Sequence, residues 1–165
     1  MLFRSRTASR PIAAGRLSNR FAWLLAAVSF FGGSGCVWLA GNLQAACAAV
    51  LTWVLYVAVY TPLKKITPLN TAVGAVAGAL PIAIGWLAVG GPQQVLAGDI
   101  SASLAVAALG TVLYLWQFPH YMAIAWLYRD QYGLAGLKMF TVTDSSGLRA
   151  AGQSLAASLA MIPVR

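Results

Sequence analysis

Apolar residues fill the chain in long blocks, and polar residues break the blocks at short intervals. No Asp, Glu, Lys or Arg occurs from Phe21 to Leu63, from Ile66 to Gly98, or from Ile100 to Tyr128. The pattern predicts four full membrane spans, at about residues 21–40, 43–60, 71–90 and 100–127, with residues 150–165 starting a fifth. Each full span carries about 18 or more apolar-dominated residues, enough to cross a hydrocarbon core of about 30 Å. Helices are the expected form, because open strands in lipid would leave backbone N–H and C=O groups unpaired. The fold class is therefore all-α, a polytopic transmembrane helical bundle. Gly41-Asn42 is short enough to be a tight turn between the first two spans. The fourth span is longer than a bilayer requires and contains Pro119, so it should tilt, kink or project past the membrane surface.

Charge adds topology to this pattern. The segment before the first span carries Arg4, Arg6, Arg10, Arg16 and Arg20; the loop after the second carries Lys64 and Lys65; the loop after the fourth carries Arg129, Lys138 and Arg149. The intervening connections hold no basic residue, so ten of the eleven Lys and Arg fall in alternate segments, with Arg165 outside them. By the positive-inside rule these segments face the cytoplasm, or the matrix in a mitochondrion. Composition agrees: 60% of residues are hydrophobic and 8% are charged, against about 25% charged in soluble domains. The net charge of +8 does not indicate nucleic acid, since the cations form short clusters rather than a water-facing basic surface. The Arg- and Ser-rich start also has the composition of a mitochondrial transit peptide. Cys36 and Cys47 lie in apolar stretches without metal-ligand spacing and read as buried packing thiols. The Gly74/Gly78 pair and the Gly32, Gly33, Gly35 cluster read as close helix-packing positions.

Candidate chemistry is confined to the basic side. Arg6 and Arg10, four residues apart, suit either an anion clamp or lipid headgroups. The segment from Tyr60 to Asn70, with Pro62 and Pro68, reads as a rigid turn that presents Lys64 and Lys65 to a phosphate or serves topology alone. His120, the single histidine, lies near the end of the fourth span and is either a functional intramembrane residue or a hydrogen-bonded structural one. Asp130, beside Arg129, either contributes to a divalent-cation site or pairs with the arginine.

Five motifs occur in order along the chain: Arg-Thr-x-x-Arg-Pro (Arg6 to Pro11), Tyr-Thr-Pro-Leu-Lys-Lys-x-Thr-Pro-x-Asn (Tyr60 to Asn70), Gly-Ala-Leu-Pro-x-x-x-Gly-Trp (Gly78 to Trp86), Trp-Gln-Phe-Pro-His-Tyr (Trp116 to Tyr121) and Tyr-Arg-Asp-x-Tyr-x-x-Ala-Gly (Tyr128 to Gly136). Together they resemble the heme O synthase (protoheme IX farnesyltransferase) family of UbiA-type intramembrane prenyltransferases, over essentially the whole chain. The resemblance implies one transmembrane prenyltransferase domain over residues 1–165. It implies transfer of a farnesyl group from farnesyl diphosphate to a vinyl group of heme B, with Mg²⁺ as cofactor. Lipid surrounds the site, and a downstream heme A synthase is a candidate partner. It also implies roles. Arg6, Arg10, Lys64 and Lys65 would bind diphosphate; Asp130, Arg129 and Lys64 would act in catalysis; Asp130 would hold metal, and His120 would contact heme. The basic loops would face the cytoplasm from a bacterial inner membrane. The family is longer, so this chain is expected to be its central part, with an Asp-rich motif falling upstream of Met1. Gln131 stands where the family pattern has an acid beside Asp130. The alternatives are a UbiA-type enzyme acting on a quinone or chlorophyllide precursor, a non-catalytic membrane fragment and a transporter.

Overall fold

The computed structural model describes residues 10–162, and among them the regular structure is helical throughout. Four helices are long and apolar enough to cross a membrane: α1 (Asn19–Ala40), α2 (Leu43–Ile66), α3 (Asn70–Ala88) and, after the short α4 (Gly91–Leu96), α5 (Ser101–Leu127). Beyond α5 come two short helices, α6 (Arg129–Leu134) and α7 (Phe140–Thr143), then the thirteen-residue α8 (Leu148–Ala160). Arg6 lies outside the described residues.

The first two helices start where a polar side chain replaces a missing backbone partner. Ser18 accepts from the Phe21 amide to begin α1, and Asn42 accepts from the Ala45 amide at 2.9 Å to begin α2. Asn42 also donates to the Leu87 carbonyl at 2.6 Å, tying the first turn to the end of α3. Asn42→Ala removes both bonds and is expected to cost about 1–3 kcal/mol. Denaturant titration in detergent checks this, and a change under a few tenths would contradict the double role.

The second helix does not stop at Tyr60 as the pattern implies. It passes through a π-helical turn, Leu55–Tyr60, and continues as α-helix to Ile66. Pro62 explains the widening. Its nitrogen has no hydrogen to donate, and its ring would crowd the preceding turn of a regular helix. In the wider turn the Thr61 amide reaches the Tyr56 carbonyl, and the Thr61 hydroxyl bonds the same oxygen at 2.8 Å. The rigid turn is thereby shortened to residues 67–69. Pro81 and Pro119 sit inside α3 and α5, both of which continue past them as helix. At 27 residues α5 is about 40 Å long, which exceeds the hydrocarbon thickness.

Packing follows small residues. Ala45 and Ala46 of α2 and Gly74, Ala75 and Ala77 of α3 are buried. Ala75, Phe118 and Ala157 form the centre where α3, α5 and α8 meet. Close approach of backbones supplies the dispersion contact that drives helix association in lipid. Gly74 and Gly78 serve this purpose individually. A Cβ on Gly74 would lie 2.8 Å from the Tyr60 ring, and one on Gly78 would overlap the Gln117 amide, which donates to the Ala75 carbonyl at 3.1 Å.

Two expectations fail for one reason. Cys36 and Cys47 are exposed rather than buried. The Gly32, Gly33, Gly35 cluster packs against nothing within 4 Å. Helix α1 buries no residue at all; it touches α2 chiefly through rings, Phe30 and Trp53 lying 4.6 Å apart. In a membrane bundle an apolar position is compatible with lipid and does not have to be covered by protein.

Candidate active site

Alternation of the helices brings the polar segments to two ends of the bundle. The Asn42–Leu87 bond marks one end. The other is marked by a main-chain bond of 2.8 Å from the Lys138 amide to the Lys64 carbonyl, which joins the second and fourth loops. The motifs gather at this basic end.

The π turn sets the first part of the site. Tyr56, Tyr60 and Lys64 follow at intervals of four, and the Lys64 ammonium lies 4.1 Å from the Tyr60 ring centroid and 6.0 Å from that of Tyr56. A cation over an aromatic face is held by the ring quadrupole. Tyr60 is buried against Gly74, and its hydroxyl is within electrostatic range of those of Tyr121, Tyr56 and Tyr132. Lys64 is half-buried, whereas Lys65 is exposed. The structure therefore separates two adjacent lysines that the sequence treats alike.

Tyr132, one of the tyrosines that influence Tyr60 electrostatically, also lines a cavity of 820 Å³. Arg10 and Pro11 lie at one edge, Gln131 and Tyr132 at another, and Leu17, Phe21, Leu25 and Ala26 form an apolar wall with Ser29 beside them. A guanidinium and one tyrosine beside an apolar trough form an amphiphile-shaped site, suited to an anionic head and a hydrocarbon tail.

The remaining candidates are dispersed. Arg129 lies over the Trp126 ring at 4.4 Å and approaches Asp130 at 3.7 Å. The Asp130 side chain is 91% exposed, so this pair contributes little stability. His120 is exposed on α5, stacked on Trp116 with centroids 6.1 Å apart and beside Tyr121. Among the described residues its ring contacts are with Trp116 and Tyr121.

The fit to a divalent cation is incomplete. Among the described residues no three His, Cys, Asp or Glu cluster. Asp144, the other acid at this end, is already engaged: it accepts from the Ser146 amide and hydroxyl and from the Arg149 amide, capping α8. The Ser146 hydroxyl, followed by the Arg149 amide, holds its carboxyl below the usual carboxylate range. Asp130 alone remains as a ligand, with the amide Gln131 next to it.

Three residues not singled out from the sequence belong to this end: Tyr60, Asn70 and Lys138. Asn70 is fully buried; its amide donates to the Thr67 carbonyl at 2.7 Å and the Lys138 carbonyl at 3.2 Å. The signal for Tyr60 was its four-residue spacing to Lys64, which places both on one helix face.

Comparison with known proteins places the chain in a family. The model of the UbiA prenyltransferase family matches residues 4–164. The chain is 47% identical to a protoheme IX farnesyltransferase of Rhodopirellula baltica over 94% of its length and 52% of the relative's. It is 37% identical to that of Koribacter versatilis, over 96% and 48%. With the mitochondrial protein of Arabidopsis thaliana it shares 42% identity over 96% and 35%. It thus spans about half, or less, of the length of these curated relatives. No solved structure matches significantly. Motif order, helical architecture and family match converge, and this multi-pass membrane protein belongs to the UbiA prenyltransferase family.

Proposed function

We propose that the chain forms part of a protoheme IX farnesyltransferase, which joins the farnesyl group of farnesyl diphosphate to a vinyl group of heme B to give heme O. The observation that carries the reading is the cavity with Arg10 and Tyr132 at its mouth and the α1 wall behind, adjoining the Lys64 cluster. The names of the relatives support the choice of acceptor and prenyl chain.

In the reaction the C–O bond to diphosphate breaks, its electron pair leaving with oxygen. The vinyl terminus bonds the farnesyl carbon, and water adds to the resulting cation with loss of a proton. Arg10 and Lys64 would stabilise charge growing on the diphosphate, where low dielectric makes such contacts strong. Arg6 extends the basic segment in sequence, and Lys65, being exposed, contributes longer-range attraction. The apolar wall takes the isoprenoid tail. At about 0.8 kcal/mol per CH₂ this contributes roughly 10 kcal/mol gross, before ordering costs. It also keeps water from the allylic carbon until the new bond has formed.

Asp130 would contribute one carboxylate to a Mg²⁺, which when bound would neutralise charge on the leaving group. Arg129 lies beside it. His120, exposed in the apolar zone with a stacked indole, suits contact with the heme acceptor. The basic loops face the cytoplasm in a bacterial inner membrane, and a downstream heme A synthase would receive the product.

The test is photocrosslinking of the membrane-embedded chain by a farnesyl diphosphate analogue with a photoreactive tail. Adducts at residues 17–29 that are competed by farnesyl thiodiphosphate are expected. Adducts spread evenly over lipid-facing residues would contradict the reading.

A further inference from the structure

Lys138 is a surface lysine in an extended segment, residues 137–139, between α6 and α7. A lysine that serves topology needs only to lie in the correct loop, because the positive-inside effect counts charges without requiring a position. Lys138 is instead fixed on both sides of its Cα. Its amide donates to the Lys64 carbonyl at 2.8 Å, and its carbonyl accepts from Asn70 at 3.2 Å. The same Asn70 amide group holds the Thr67 carbonyl. Lys64, Thr67, Asn70 and Lys138 thus close a ring across some 70 positions of sequence. The ring is built at a cost. Asn70 is 0% exposed and its Oδ1 has no partner, and the neighbouring Thr71 hydroxyl is likewise buried and unpartnered. Burial of an unsatisfied acceptor is unfavourable, so this arrangement answers a need that packing alone does not create. At its rim it places a second lysine, exposed and without an ion pair among the described residues, directly across a main-chain bond from Lys64.

We propose that Lys138 is a further diphosphate-binding residue, acting with Lys64, and that Asn70 is the positioning residue that holds the two together. The inference rests on the prenyl diphosphate reading of this end and deepens it.

The experiment measures binding of inorganic diphosphate, and separately of farnesyl thiodiphosphate, to the whole chain in lipid nanodiscs. Lys138→Ala is expected to weaken both about 10-fold, the size of one charge-assisted contact, and Lys138→Arg to stay within about 3-fold of the unmodified chain. Asn70→Ala is expected to weaken binding with Lys138 still present, and the Asn70/Lys138 double variant to lose little more, as coupled residues do. A charge-shifted variant, Leu137→Lys with Lys138→Ala, keeps the loop charge but moves it; binding should remain weak. Unchanged binding in Lys138→Ala, or full recovery in the charge-shifted variant, would overturn the proposal while leaving the prenyl diphosphate reading intact. Failure of the unmodified chain to bind either probe would remove that reading and this inference with it.

Discussion

Lys64→Ala is expected to lower farnesyl transfer by about 100- to 1000-fold, the effect of removing one preorganised stabiliser of developing negative charge. The ammonium is held in place before substrate arrives. It lies over Tyr60, on a half-buried stem at the end of a helix whose preceding turn is fixed by Thr61. Lys65→Ala, one residue on and exposed, should change the rate by less than about 3-fold, since screened surface charge acts weakly. Heme O formed from heme B and farnesyl diphosphate, measured by mass, compares the two. Equal losses would mean that the lysines act through charge in bulk and that the position of Lys64 is immaterial.

Gly74→Leu is expected to damage the packing of α3 against the end of α2. The Tyr60 ring occupies the space a side chain there would need, and overpacking of this kind costs about 1–3 kcal/mol. Displacement of Tyr60 also removes the surface on which Lys64 rests, so transfer should fall together with stability. The two effects are separable. Tyr60→Ala in the Gly74→Leu background makes room for the leucine and should recover part of the stability, as contacting sites are non-additive, yet transfer should not return. Denaturant titration in detergent beside the transfer assay reads both. Recovery of activity in the double variant would show that Tyr60 is only a packing element.

Hydropathy made the four spans legible because lipid leaves a chain few options. Every backbone group must be paired within the helix, so apolar length and helix coincide. Alternation of charge likewise anticipated which loops meet, and the Lys138–Lys64 bond joins two of them. Burial was not legible. Cys36 and Cys47 occupy apolar helices and still face outwards, since lipid and protein interior present the same polarity to a thiol. The site was legible in part. Lys64 stands out as an ion at a membrane boundary, whereas Asn70 reads as a loop residue and gives no sign that it is fully buried. Its role depends on a segment 68 residues away, a relation that no local pattern encodes. Asp130 was legible as a rare acid, but its high exposure was not.

The π turn at Leu55–Tyr60 acts as a phase shifter between two halves of one helix. A gain or loss of one residue there would rotate everything beyond it by about 100°. Tyr60 and Lys64 would swing away from Gly74 and Lys138 while the hydropathy profile stayed almost the same. Two chains could therefore share every span and every motif and still differ in whether Tyr60 and Lys64 meet Gly74 and Lys138 or face the lipid. For that reason the number of residues between the Asn42 cap and Lys64 carries information separate from their identity. Among relatives, a length change within this helix is a more telling mark of altered chemistry than most changes of side chain.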